Sequence, residues 1–132
     1  MEVSAYLFAY GTLMGRTPDR AVNRLLCQQA RDVGPAWVCG RLYRLGWYPG
    51  LVPGHNPRER VHGRLLYLRS ASRCWPVLDA YEGCDPGASA QGLFTRRLMA
   101  VRQPGRRRPC QAWVYVYQGH PPSGPPLSTW RG

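Results

Sequence analysis

One carboxylate and one glycine-containing turn are the groups in this chain best suited to chemistry. Glu82 follows an apolar helical pattern in the run Leu78-Asp79-Ala80-Tyr81-Glu82-Gly83, and the N-terminal apolar segment leads into Tyr10-Gly11-Thr12-Leu13-Met14-Gly15. Glycine lets a chain turn sharply out of a strand and leaves few side chains over the backbone N–H groups. The two features together predict a pocket with an anion-binding loop and a proton-transfer group.

The other reactive side chains form no recognisable nucleophilic or metal-binding set. The chain has five cysteines, an odd number, and no Cys-x-x-Cys pair. The sequence therefore predicts neither a zinc site nor a complete set of disulfides. Cys84 lies two residues after Glu82. A nucleophilic thiol needs a partner that lowers its pKa, and no histidine is visibly linked to Cys84. We therefore expect no metal and no cofactor.

Four side chains leave alternatives open at this level. Glu82 could be an ordinary solvent-facing glutamate. Asp79, about one helical turn earlier, is either a second acid or, as we favour, a buried residue that bonds the backbone or an arginine. Tyr115 and Tyr117 either reach the pocket or fill the interior, and the sequence does not decide which of them fills it.

Size and charge limit the classes of protein. A chain of 132 residues makes one domain. No apolar run approaches the roughly 20 residues of a membrane helix, and the first residues lack the basic region of a signal peptide, so we expect a cytoplasmic protein without a membrane partner. The net charge is +11, and all 18 basic residues are arginines. These are scattered except for Arg106-Arg107-Arg108, so a solvated surface is favoured over affinity for nucleic acid.

Hydrophobic patterning predicts about five strands and two helices. The strands are expected over residues 4–10, 36–45, 60–68, 94–102 and 110–117, and the helices over 18–30 and 73–82. Thr17 is the expected N-cap of the first helix, with Pro18 at its first position, and Gly34-Pro35 is expected to close the connection that follows. The segment 46–54 is predicted to be a loop that seals one end of the fold, forms a pocket wall, or does both.

These elements predict a mixed α/β (α+β) domain. Glycines inside the strands favour sharp bending, so we expect a small closed or half-open β-barrel of about five to six strands flanked by two helices. The domain is expected to span residues 1–118. Residues 119–132 form a Pro/Gly-rich tail, which Leu127 and Trp130 could dock onto the domain.

Five motifs, in order and spacing, resemble the γ-glutamylcyclotransferase superfamily, and within it the γ-glutamylamine cyclotransferase-like branch. The resemblance covers about residues 5–118. It is carried by Tyr6-Leu7-Phe8-Ala9-Tyr10-Gly11-Thr12-Leu13, by Gly40-Arg41-Leu42-Tyr43 with Gly46-Trp47-Tyr48-Pro49-Gly50-Leu51-Val52, by Val61-His62-Gly63-Arg64-Leu65, by Leu78-Asp79-Ala80-Tyr81-Glu82-Gly83, and by Phe94-Thr95-Arg96-Arg97 with Ala112-Trp113-Val114-Tyr115.

This resemblance implies a pocket in a small β-barrel flanked by helices. Glu82 matches the catalytic acid/base of the family, and we expect it to be partly buried. The γ-glutamyl group would be held by the substrate-binding residues Tyr10, Gly11, Thr12, Leu13, Tyr48 and Phe94. Phe94 is a departure, because many relatives have a tyrosine there, whose hydroxyl could touch the substrate or Glu82.

The implied reaction converts a γ-glutamyl amine or peptide into 5-oxoproline and a free amine, with no cofactor. The partner is then a small γ-glutamyl compound. Two alternatives remain: a protein of the same fold that binds a small carboxylated ligand without turnover, and a nucleic-acid-associated module that uses the arginine-rich hairpin.

Overall fold

The computed structural model describes residues 4–11, 13, 17–45, 48–83, 94–127 and 129. These residues form six strands and two helices, in the order β1 (Tyr6–Ala9), α1 (Arg20–Gln29), β2 (Ala30–Arg44), β3 (Pro49–Pro53), β4 (Arg60–Leu68), α2 (Ala71–Tyr81), β5 (Phe94–Val101) and β6 (Cys110–Tyr117). The strands make one sheet in the order β3-β2-β4-β1-β6-β5.

The sheet curls into a half-barrel. Its central strand β1 is antiparallel to β4 and parallel to β6. At one end of the barrel, Trp37 of β2 and Arg102 exchange two backbone hydrogen bonds of 2.8 and 2.9 Å, which bring β2 against the end of β5. A curled six-stranded sheet with two helices confirms the predicted fold class.

Side chains of β1 point alternately to the two faces of the sheet, and each face carries its own apolar core. Phe8 and Tyr10 point into the barrel, whereas Leu7 and Ala9 point toward the two helices. Leu78 of α2 is fully buried in the second core. Burial of α2 against this face holds the helix in place, and its C-terminal end therefore lies beside the end of β1.

The start of α1 differs from the prediction. Asp19 is the N-cap, because its carboxylate accepts from the N–H groups of Ala21 and Val22 at 2.9 and 3.1 Å. Thr17 is buried and instead exchanges hydrogen bonds with the Asn23 side chain, so its polar atoms are already used. The helix thus begins two residues later than the expected start at residue 18.

Two strand boundaries were also predicted wrongly. β2 begins directly after α1 and runs through Gly34-Pro35, where the sequence predicted a break. A register shift between Asp32 and Gly34, with Gly34 at a φ of 127°, keeps the strand paired across this point. Part of the predicted loop 46–54 is strand β3, which pairs with β2 from Gly40 to Arg44. β2 changes its partner strand at Gly40. The residues up to Cys39 pair with β4, and those from Gly40 onward pair with β3.

The arginine cluster lies where the sequence predicts it. Gly105 has a φ of 77° in the turn between β5 and β6, and Arg106, Arg107 and Arg108 are exposed there. The backbone N–H of Leu127 donates to the carbonyl of Leu42 at 2.7 Å, so this part of the tail docks onto β2. Trp130 and Cys84 lie outside the described residues. No helix in the described part of the chain is both long enough and apolar enough to cross a membrane.

Gly63 controls how closely β4 approaches β1 below the turn at Tyr10. A Cβ atom at Gly63 would collide with the Ala9 carbonyl oxygen, which is backbone and cannot move aside alone. We expect Gly63→Ala to lower the free energy of unfolding by about 1–3 kcal/mol in a urea titration. Gly54→Ala is the matched control, because its Cβ would make an ordinary 3.5 Å contact. Equal losses for the two variants would contradict this account.

Candidate active site

The end of α2 presents Glu82. The Glu82 N–H closes the last helical turn by donating to the Leu78 carbonyl at 2.9 Å, and Gly83 follows with a φ of 70°. Glycine in this left-handed conformation is a common way to end a helix. The helix thus stops at a fixed residue, with the carboxylate at the C-cap.

Glu82 lines a cavity of about 480 Å³, a volume in the range of small-molecule sites. The cavity opens between the end of β1, the start of α1, the start of β3 and the end of α2. Its wall is mainly aromatic and aliphatic, with two carboxylates among the described residues, and comprises Phe8, Tyr10, Gly11, Leu13, Pro18, Asp19, Tyr48, Pro49, Tyr81, Glu82, Gly83, Phe94 and Tyr115.

The cavity brings together most of the site residues expected from the sequence. Tyr10, Gly11, Leu13, Tyr48 and Phe94 all lie on its wall with Glu82. Thr12 was predicted with them and lies outside the described residues. A Cβ at Gly11 would come within 2.8 Å of the Pro49 ring, so the loop fits against β3 only with a bare Cα at that position.

The environment of Glu82 favours its protonated form. Burial raises the pKa of this carboxyl from 4.5 to about 7. Among the described residues none of the ion pairs involves Glu82, so no cation opposes the effect of burial there. Its side chain is partly buried, as predicted. A carboxyl with a pKa near neutrality is suited to taking up and returning a proton.

Two tyrosine hydroxyls beside Glu82 donate their protons to the protein. The Tyr10 hydroxyl donates to the Tyr115 carbonyl oxygen at 2.5 Å, and the Tyr115 hydroxyl donates to Asp79 Oδ1 at 2.7 Å. Burial, together with the nearby charge of Glu82, raises the pKa of Tyr10, although a hydrogen bond from the Leu51 backbone N–H opposes them. Burial, the hydrogen bond to Asp79 and the charges of Asp79 and Glu82 raise the pKa of Tyr115, although Arg96 opposes them. Both phenols therefore stay neutral.

Asp79 is anchored on its other side by an arginine. Arg96 Nε donates to Asp79 Oδ1 at 2.9 Å, and Arg96 Nη2 donates to Oδ2 at 3.3 Å. The guanidinium lies 4.4 Å from the ring centroids of both Trp75 and Trp113, an arrangement that favours a cation. The prediction that Asp79 bonds an arginine, and is not a second acid exposed to substrate, agrees with this geometry.

The choice between Tyr115 and Tyr117 needed the structure. Tyr115 lines the cavity, whereas Tyr117 packs its ring against Phe94 with the centroids 5.8 Å apart. Phe94 also contacts Tyr48 at 6.2 Å between ring centroids, so the segment predicted as a loop does form a pocket wall. The sequence reasoning missed the contributions of Asp19 and Tyr81 to the wall, and no sequence signal ties either of them to the pocket.

Metal ligation has no support in the described part of the chain. No group of three or more histidine, cysteine or carboxylate side chains there could hold a metal ion together.

Comparison with known proteins yields a family match. The model of the family described as gamma-glutamyl cyclotransferase, AIG2-like, matches residues 7–132. None of the curated proteins compared with the chain matches it.

Solved structures share the fold. An AIG2-like protein from Mus musculus has a TM-score of 0.72 at 22% identity, over 98% of this chain and 90% of that one. YkqA from Bacillus subtilis has a TM-score of 0.64 at 18% identity, over 97% of this chain and 40% of YkqA. An uncharacterised protein from Pyrococcus horikoshii has a TM-score of 0.58 at 17% identity, over 95% of this chain and 86% of that one. At these identities the likeness establishes the fold alone.

Proposed function

The chain belongs to the gamma-glutamyl cyclotransferase, AIG2-like family, and we propose that it cyclises the γ-glutamyl group of a γ-glutamyl amine or peptide to 5-oxoproline. The observation that carries this proposal is the position of Glu82 on the wall of a largely apolar cavity, where burial raises its pKa to about 7. The substrate supplies its own nucleophile in such a reaction, so no activated serine or cysteine is required.

The proposed step forms one bond and breaks another. The α-amine nitrogen of the substrate attacks the γ-carbonyl carbon, and the bond between that carbon and the leaving nitrogen breaks. The α-nitrogen loses two protons on its way from ammonium to lactam N–H. Glu82 accepts the first before the attack and passes it to the leaving nitrogen, and it then takes the second from the ring nitrogen and passes it to the released amine, which leaves as an ammonium. Protons and atoms balance without water or a cofactor.

The loop after β1 would hold the anionic part of the substrate. The backbone N–H groups of Gly11, Thr12 and Leu13 are proposed to bind the α-carboxylate or the oxyanion that develops on the γ-carbonyl. Folding the substrate so that amine and carbonyl meet is the other task of the cavity, and such proximity can contribute roughly 7–11 kcal/mol. The aromatic wall of Tyr48 and Phe94 would restrict the substrate to that folded shape.

Activity should depend on pH through Glu82. Because Glu82 must be ionised to accept a proton, we expect kcat/KM to fall about tenfold per pH unit below an apparent pKa of about 7. Initial rates across pH 4–9, with circular dichroism to confirm folding at each pH, measure this limb. An acid limb centred near 4.5, the pKa of an exposed glutamate, would contradict the role of burial.

The direct test of the function is a panel of γ-glutamyl amines and γ-glutamyl dipeptides. The purified protein should release 5-oxoproline and the free amine in equal amounts from at least one member, and the relative kcat/KM values would identify the preferred leaving group. A folded protein that binds panel members but releases no 5-oxoproline from any of them would instead support the small-carboxylate-binding alternative.

A further inference from the structure

The hydroxyl of Tyr115 can only accept hydrogen bonds from a ligand in the cavity. A tyrosine hydroxyl has a single proton, and Tyr115 donates its own to Asp79. The lone pairs of the Tyr115 oxygen therefore remain for a donor, and Tyr115 lies on the cavity wall. The neighbouring Tyr10 oxygen differs, because it donates to the Tyr115 carbonyl oxygen and already accepts from the Leu51 backbone N–H.

Glu82 adds a second acceptor. It lies on the same cavity wall as Tyr115, and its charge contributes to the raised pKa of that phenol. A hydroxyl that can only accept, together with a carboxylate, matches a group that has several N–H donors and a positive charge. In the proposed substrate that group is the α-ammonium, whose proton Glu82 would accept.

We propose, on the basis of the proposed function, that Tyr115 Oη binds the substrate's α-ammonium together with Glu82. Asp79 and Arg96 are positioning residues in this arrangement. They do not touch the substrate, and they act by fixing the direction in which the Tyr115 hydroxyl donates.

The ion pair behind Tyr115 explains why that direction is fixed. Asp79 accepts from two Arg96 nitrogens as well as from Tyr115, and a carboxylate so bound has no proton to donate. Arg96 is itself held between Trp75 and Trp113, and its side chain is only 20% exposed. The hydroxyl therefore cannot turn its proton toward the ammonium without losing a charge-assisted hydrogen bond.

Tyr115→Phe tests the proposed contact. We expect kcat/KM for a γ-glutamyl amine to fall about 10- to 100-fold, as for the loss of a hydrogen bond to a charged group. The inhibition constant of an N-alkyl glutaramate, which has the same chain but no α-amine, should change less than about twofold. Tyr117→Phe, which removes a hydroxyl two residues along the same strand, is the matched control and should leave both values unchanged.

Other outcomes would overturn the proposal. If Tyr115→Phe retains its kcat/KM, or if the glutaramate loses binding by the same factor, Tyr115 does not recognise the ammonium. Thermal unfolding shows whether the Tyr115 variant is folded, and Asp79→Asn tests the same contact with the Tyr115 side chain in place. If the wild type releases no 5-oxoproline, the proposed function itself fails. The wild-type rate alone distinguishes this result from a failure of the Tyr115 contact.

A double-mutant cycle tests the positioning role of Asp79. Asp79→Asn should lower kcat/KM in the wild-type background and leave the glutaramate inhibition constant unchanged. In the Tyr115→Phe background the same substitution should add less than about a twofold loss, because Asp79 acts only through the hydroxyl. Additive losses, or no loss from Asp79→Asn alone, would overturn this role.

Discussion

Glu82→Gln is expected to lower kcat by about 100- to 10,000-fold, the usual contribution of a positioned acid or base. Glutamine has nearly the same size and fits the same C-cap, but it cannot take a proton from the α-ammonium or return one to the leaving amine. The measurement is single-turnover release of 5-oxoproline, with thermal unfolding to show that the variant is folded.

Asp19→Asn is the control for the loss of a negative charge. Asp19 is the other described carboxylate on the cavity wall, and asparagine can still cap α1. We expect this variant to lose less than about tenfold in kcat, since Asp19 has no part in the proposed proton transfer. Similar losses in both variants would mean that the charge of the cavity, and not proton transfer at Glu82, supports turnover.

The free energy of unfolding should include a pH-dependent contribution from Glu82. The pKa of Glu82 is about 7 in the folded protein and 4.5 for an ordinary glutamate. Between these values the unfolded chain has lost the proton and the folded chain still holds it, so the folding contribution of Glu82 is full below pH 4.5 and is lost as the pH rises through 7. The difference between the two pKa values corresponds to about 3 kcal/mol.

The comparison of wild type with Glu82→Gln isolates this effect from the other titrating groups. The free energy of unfolding of the variant minus that of the wild type should increase by about 2–3 kcal/mol between pH 5 and pH 8. Urea titrations of both proteins at the two values measure it. A difference that stays constant with pH would mean that burial does not raise the pKa of Glu82.

The position of Glu82 could be predicted because it depends on local sequence. The apolar spacing of Trp75 and Leu78 indicates one buried helix face, and Gly83 after Glu82 ends the helix. The same holds for β4 and β6, whose bounds match the patterning, since alternation and flanking turns define a strand locally.

The remaining parts of the site depend on contacts between distant segments. β3 was predicted as a loop because its prolines and glycines disfavour strands, and only pairing with β2 makes it one. Tyr115 and Tyr117 share one face of β6, so only the approach of Asp79 from α2 distinguishes them. The contacts of Arg96 could not be predicted, because its two tryptophan neighbours, Trp75 and Trp113, come from separate elements.

Cyclisation and hydrolysis of a γ-glutamyl amine are distinguished by the fate of water. Reaction of the wild-type protein with a γ-glutamyl amine in ¹⁸O-labelled water, followed by mass spectrometry of both products, is therefore the most direct test of the central claim. The account predicts 5-oxoproline without ¹⁸O, in equal amount to the released amine. Glutamate carrying ¹⁸O in its γ-carboxyl group would contradict it, because water and not the α-amine would then be the nucleophile.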